Sequence, residues 1–480
     1  MKYFSLLLLA AVLGITGCST LDRARALLPF QESAEAKKLR EQGISPDDDR
    51  RISVLLFEQN LVSDPALLGS TIALPNSYVN TDWAQTGAFP SHAPQHLQAA
   101  PNLDLLWKRD FGRKSDNKGR VMAPPVIAGN RIFTMDGRGA IRAIDLDDGK
   151  TVWRKKLKAM PKKADKRDRR NRFSGGFRGL ADQLRNRASE GYGGGMAVSG
   201  GHLFVTSGFG YAMALDVNTG EEIWQTETPT PLHTAPTIAD GRMFVVSQDN
   251  EFIALNTTTG EVLWTFQGIV ETARILSSSA AAVYGEIVVA PFASGELVAF
   301  RVQNGRSIWT DALTRSAGLN ALSELNDIAA SPVIFDNTVY AISHSGLLAA
   351  VDLRTGERQW SKQVGGIHMP WIAGNTIFVL TNDGQVAAVS RADGRVIWVH
   401  EMPKFKNEKK RKNRIAWAGP ILASDKLLLV SSNGDVVHLS PQTGEELNRR
   451  KFRDSFFIAP VVAGGKAYLI SNKAKIYALQ

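Results

Sequence analysis

The chain is almost without cysteine: among 480 residues, Cys18 is the only one. That excludes an internal disulfide, a vicinal cysteine pair and a Cys-x-x-Cys-His haem attachment. Histidine is also scarce, and the eight present form no His-Glu-x-x-His pair. His92 and His96 are four apart, but Pro94 stands between them and prevents a helical pair of ligands, so both read as loop residues. Gly191-Tyr192-Gly193-Gly194-Gly195 has no Lys-Ser or Lys-Thr after it and no helical pattern. A phosphate loop is therefore excluded, and the glycines read as a flexible hinge. Asp145, Asp147 and Asp148 before Gly149 lack the closing glutamate of a calcium loop and read as a turn. No catalytic constellation, metal site or cofactor is expected from these patterns.

What is present is glycine, apolar residues and an uneven charge. The 42 glycines, with 44% hydrophobic and 22% charged residues, suit a globular chain with many turns. The formal net charge is +10. Two segments account for it: 154–187 holds 14 Lys/Arg against 3 Asp/Glu, and 404–414 holds 7 against 1. The remainder is net acidic. An acidic body with two basic patches argues for local contacts with anions and against nucleic acid as a partner.

Residues 1–17 read as a signal peptide. Lys2 supplies the charged start, and Leu6–Ile15 is an apolar run too short to span a bilayer. The run ends in Ile15-Thr16-Gly17-Cys18, which resembles the bacterial lipobox. In that motif the cysteine is acylated and becomes the mature N-terminus, so Cys18 is the expected lipidation site. More than one acyl chain makes such anchoring stable. Ser19 is not the aspartate associated with inner-membrane retention, so an outer-membrane anchor on the periplasmic side is expected. Residues 18–80 show no repeat and read as a lipidated tether, partly extended and partly docked on the body.

Residues 81–480 repeat. Eight segments carry a short apolar strand, a Gly/Asp/Asn turn, a β-branched strand, a second turn and an alternating third strand, from Ala123-Pro124-Pro125 to Ala459-Pro460-Val461. Most run into a glycine turn and a tryptophan: Trp153, Trp224, Trp264, Trp309, Trp360 and Trp398, with Asn448 at the seventh position. Four strands in about 40–50 residues make one propeller blade. The pattern predicts an all-β chain, an eight-bladed β-propeller of four-stranded antiparallel blades. The eighth segment stops at its third strand, and Leu105-Leu106-Trp107-Lys108 supplies a tryptophan before the first. This N-terminal strand is expected to join the C-terminal blade and close the ring, which pairs edges that would otherwise aggregate. Each tryptophan can bury about 150–250 Å², worth at most roughly 4–6 kcal/mol, and reads as packing between blades.

The run Ala214-Leu215-Asp216-Val217-Asn218-Thr219-Gly220-Glu221-Glu222-Ile223-Trp224 resembles the quinoprotein-type propeller repeat. With the lipobox, the tether and the segment Asp82-Trp83-Ala84-Gln85-Thr86-Gly87, it resembles the BamB family, lipoprotein subunits of the β-barrel assembly machine. The resemblance implies a non-catalytic scaffold that assists insertion of β-barrel proteins into the outer membrane. Its implied partners are the barrel-forming subunit and nascent outer-membrane proteins. It further implies a partner site on two links between blades, matched here by Arg274, Ile275 and Leu276 and by Asp327. A surface pair of Arg274 with Asp327 without a partner role is the competing reading. The long tether and the basic insertion at about 154–191 depart from the family pattern.

Enzymes share this repeat, so a periplasmic quinone-dependent dehydrogenase, with calcium and an aspartate base near the ring centre, is the alternative. An envelope propeller that binds cell-wall or lipid components is a third reading. Both basic segments lie between one blade's last strand and the next blade's first. Lys162, Lys163, Arg167, Arg169, Arg170, Lys409, Lys410 and Arg411 are candidates for contact with lipid headgroups or acidic partner loops. Plain solvated loops would explain the same charges.

Overall fold

Eight four-stranded antiparallel sheets account for the repeats. The computed structural model describes residues 61–117, 119–158, 193–271, 275, 279–314 and 326–480. Blade 1 comprises Val126–Ala128, Arg131–Met135, Ala140–Asp145 and Thr151–Lys156. Blades 2 to 7 follow at 196–227, 237–267, 282–312, 333–362, 371–401 and 417–451. Blade 8 takes Val461–Ala463, Lys466–Ile470 and Lys475–Leu479 from the end of the domain and Leu105–Asp110 from its beginning. The closure expected from Trp107 is realised: Trp107 pairs with Ala478, and Asp104 and Gln480 exchange two main-chain hydrogen bonds of 2.6 and 2.7 Å.

Local chemistry explains the blades. The first two strands are joined by two-residue turns whose first residue has positive φ, and in five blades both residues do, as at Gly200-Gly201 and Asp336-Asn337. Such turns match the twist of a hairpin and favour Gly, Asn and Asp. The second and third strands are buried almost throughout, because each blade is covered by a neighbour on both faces. The fourth strand is the outer edge and carries a bulge. In blade 1 Ala143 pairs with Trp153 and Ile144 with Thr151, which leaves Val152 out of register and exposed. Ile223, Leu263 and Ile308 are skipped in the same way. A bulge re-aims the next side chain; here that side chain is the tryptophan.

Each tryptophan reaches the following blade. The indole N–H of Trp107, Trp153, Trp224, Trp264, Trp309, Trp360 and Trp398 donates to a main-chain carbonyl 2.8–3.1 Å away. The ring lies flat on the glycine of that blade's last turn. A Cβ at Gly305 would stand 2.4 Å from the Trp264 ring, and φ there is +69°. Glycine is therefore demanded twice over, by conformation and by contact.

Residues 81–100, expected within the repeating region, form no blade strand; with Asn80 they run around the inside of the ring and bond to the first strand of every blade. Asn80 accepts from Gly464 of blade 8, Trp83 exchanges two bonds with Ile127 of blade 1, and Ala84 accepts from Val198 of blade 2. The Gln85 side chain accepts from Ile238 of blade 3. Pro90 and Ser91 accept from Val283 and Ile334 of blades 4 and 5. Gln95 accepts from the Trp371 indole of blade 6, Leu97 bonds Leu422 and Ser424 of blade 7, and Ala100 returns to Gly465 of blade 8. This strap makes one full circuit. Trp83 stacks on Trp371 across it, with ring centroids 6.5 Å apart.

The chain before the strap also lies on the propeller. Leu61 is buried among apolar residues of blades 5 and 6. Ile72 is held by both ends of the Gln442 amide, at 2.9 and 2.8 Å. The expected signal peptide, residues 1–17, and the rest of the expected tether, residues 18–60 with Cys18, lie outside the described residues.

Candidate partner-binding sites

The meander fixes where insertions emerge. Turns between strands one and two, and three and four, leave from one face. Turns between strands two and three leave from the other, together with the links between blades. Ile275, Asp327 and the segment 404–414 lie on links between blades and so belong to this link face.

On it, Asp327 is buried, 3% exposed, rather than lying at the surface. Its carboxylate accepts the main-chain N–H of Ile275 at 2.7 Å. Its own carbonyl accepts from His344, in the second-to-third-strand turn of blade 5, at 3.0 Å. Nearby, Ala280 donates to the Ser331 hydroxyl at 2.9 Å. The blade 3-to-4 link, the blade 4-to-5 link and blade 5 are thus tied together through one buried aspartate, its carboxylate serving the first and its main-chain carbonyl the last. Hydrogen bonds to a charged group are among the stronger ones. Arg274 and Leu276 lie outside the described residues. Ile269 and Val270, at the start of the same link, are 58% and 59% exposed.

The segment 404–414 is a two-stranded hairpin, Phe405–Asn407 with Lys412–Arg414. Glu408 fixes its turn by accepting from the N–H groups of Lys404 and Phe405. Asn407 accepts from Lys410, and the Arg411 guanidinium stands 5.8 Å from the Phe405 ring centre. Lys409, Lys410 and Arg411 are therefore exposed on a built turn. Lys162, Lys163, Arg167, Arg169 and Arg170 lie outside the described residues.

The glycines read as a hinge are otherwise used. A Cβ at Gly194 would meet the Thr206 carbonyl at 2.1 Å, and one at Gly195 would meet Ala235 at 2.5 Å. Gly194 is packed against by blade 2, and Gly193 and Gly195 by His233 and Ala235 of the blade 2-to-3 link, while Gly191 and Tyr192 lie outside the described residues. His92 and His96 are loop residues, as expected, but buried ones. His92 bonds the Pro332 carbonyl through Nδ1, and burial pushes it down to about 4. His96 bonds the Pro75 carbonyl and accepts from Asp425. Among the described residues no three His, Cys, Asp or Glu side chains gather as a metal would require. Nor is any helix among them long and apolar enough to cross a membrane.

The fold and its repeat define a closed eight-bladed propeller of the quinoprotein-like kind. Residues 97–170, 172–400 and 405–480 match the family model of the outer membrane protein assembly factor BamB, and the chain belongs to that family. It is 28% identical to outer membrane protein assembly factor BamB of Salmonella typhimurium over 356 residues, 74% of this chain and 83% of that one. The Escherichia coli protein of the same name gives the same identity and coverage. Among solved structures, BamB from Moraxella catarrhalis covers 78% of this chain with all of its own, at TM-score 0.60 and 16% identity. A europium-containing methanol dehydrogenase covers 82% of this chain at TM-score 0.62 and 12% identity, with 89% of its own length matched. Likeness at that level speaks to architecture and not to chemistry.

Proposed function

We propose that this chain is a scaffold of the outer membrane, anchored through acylated Cys18 on the periplasmic side. It assists the insertion of β-barrel proteins by holding the barrel-forming subunit of the assembly machine. The observation that carries this reading is the tie between Asp327 and Ile275. It gives two adjacent links one fixed geometry on the face where family resemblance expects the partner. Exposed Ile269 and Val270 beside the matched Arg274 give that face an apolar and cationic composition suited to a protein contact. Asp327 itself is a positioning residue, since its carboxylate is turned inward. The test is recovery of the barrel-forming subunit from membranes with tagged Arg274→Glu and Asp327→Ala. Loss of the partner from both is expected, with retention by Asp327→Asn. Full retention by the first two overturns the reading.

Nascent barrel strands have a second feature to meet. Blade 3's outer strand, Val262–Gln267 (VLWTFQ), carries no charge, whereas each of the other seven outer strands carries at least one. Charges on an edge block added strands, and an uncharged edge admits them by main-chain pairing. The hairpin cations Lys409, Lys410 and Arg411, with Lys162, Lys163, Arg167, Arg169 and Arg170 of the insertion, would face anionic headgroups or acidic loops. Neutralising both sets is expected to weaken binding to anionic vesicles. Cys18→Ser is expected to release the protein from the membrane fraction.

A further inference from the structure

One position of the repeat breaks its own rule. In the third strand, the residue before the one opposite the tryptophan faces the preceding blade. It is Met213, Ile253, Val298, Ala349, Ala387, Val437 and Tyr477 in blades 2 to 8, all buried. In blade 1 it is Arg142. Arg142 stands directly opposite Arg154 on the fourth strand, a like-charge cross-strand pair that costs stability. Its guanidinium is aimed by a 3.2 Å bond to the Asp110 carbonyl of blade 8.

The seam between blades 8 and 1 is there opened into a groove of about 560 Å³. Gly112, Arg113, Asp136, Arg142, Arg154 and Lys156 line it. Asp136 does not serve these cations. Its carboxylate already accepts three main-chain N–H groups, from Arg113, Arg138 and Ala140, at 2.8–2.9 Å. Asp110 faces Lys475 at 3.6 Å, and Lys155 turns away to Glu222 at 3.5 Å. Among the described residues, no carboxylate forms an ion pair with Arg113, Arg142 or Arg154.

We infer that this groove is a binding site for a phosphoryl group. Two guanidinium forks side by side, with a third arginine and a lysine, match its several acceptor oxygens. An anion seated between Arg142 and Arg154 removes the repulsion that the empty strand pair carries. The site lies on the link face, between the blade 8-to-1 link and the start of the basic segment, away from the Ile275–Asp327 tie, and nothing in it requires a barrel-assembly partner.

The test uses the full chain in non-ionic detergent and titration calorimetry with two probes, inorganic phosphate and a short-chain phosphatidylglycerol. Variants are Arg142→Met, which installs the residue of blade 2, and Arg154→Gln. Saturable binding of at least one probe is expected, weakened tenfold or more in both variants. The ligand-free melting temperature of Arg142→Met should equal or exceed that of the parent. Binding of phosphate alone assigns a free anion, and binding of the lipid assigns a headgroup. No saturable binding of either probe overturns the inference. So does undiminished binding in both variants, or a sharp fall in the melting temperature of Arg142→Met.

Discussion

His438 and Asn448 face each other across the last two strands of blade 7, at the register position where every other blade pairs alanine with tryptophan. The exchange has a cause in the neighbouring blade. Seven tryptophans lie on the glycine of the next blade's last turn. Blade 8 has no such turn, because its third and fourth strands come from distant parts of the sequence. A tryptophan in blade 7 would have nothing to rest on. The seam is held instead by Arg450, which donates to the Leu103 carbonyl and lies 3.5 Å from Asp104.

Trp309→Ala should therefore cost about 3–5 kcal/mol, the usual range for a buried tryptophan. Asn448→Ala, at the equivalent but exposed position, should stay within about 0.5 kcal/mol of the parent. Urea midpoints of the two variants decide the matter; equal losses would contradict the account.

The docking glycines offer a paired comparison. Gly305→Ala meets both the left-handed backbone and the Trp264 ring, and is expected to lose about 2–5 kcal/mol. Gly285→Ala has a similar φ, +56°, with nothing within 4 Å of the added carbon. Its loss should be only the conformational part, about 1–2 kcal/mol.

Buried histidines set a pH dependence. Burial pushes His92 and His438 down to about 4 from an ordinary 6.5. Above pH 6.5 both are neutral whether the chain is folded or not, and they contribute nothing. Below it the unfolded chain takes up protons that the folded chain refuses, so stability falls until about pH 4. Each histidine adds a slope of up to about 1.4 kcal/mol per pH unit in that window. The urea midpoint should drop between pH 7 and pH 5, and His438→Gln should shallow the drop.

Charge on an edge strand should act as a gate. Thr265→Lys in blade 3 is expected to reduce crosslinking of an unfolded barrel protein several-fold while leaving the melting temperature unchanged. The same lysine at Thr310 of blade 4, whose outer strand already carries Asp311, should have little effect.

The blades and their closure could be read from the sequence because a propeller repeats its chemistry. A tryptophan after a threonine-glycine turn recurs, and Trp107 stands where the ring needs one more. The strap could not be read this way. Most of its contacts are made by main-chain groups, as at Asn80, Trp83, Ala84, Pro90 and Ser91, which leave no residue pattern. Gly193–Gly195 were legible as glycines but not as close approaches, since His233, the Thr206 carbonyl and Ala235, which they respectively meet, are brought there only by the fold. The burial of Asp327 was hidden for the same reason. Its partner Ile275 belongs to a different link and contributes only a backbone N–H. Arg142 could have been found by aligning third strands, where it is the one cation among apolar residues.

The strap imposes an order in time. It leaves the ribosome before any blade, yet each of its bonds waits for a first strand made later, the last of them near Gly464. Ile72 finds Gln442 370 residues further along the chain. The circuit therefore stays incomplete until the final blade has been made. A chain halted short of its last strands therefore lacks both the partners for the strap's two ends and the strands that pair with Leu105–Asp110.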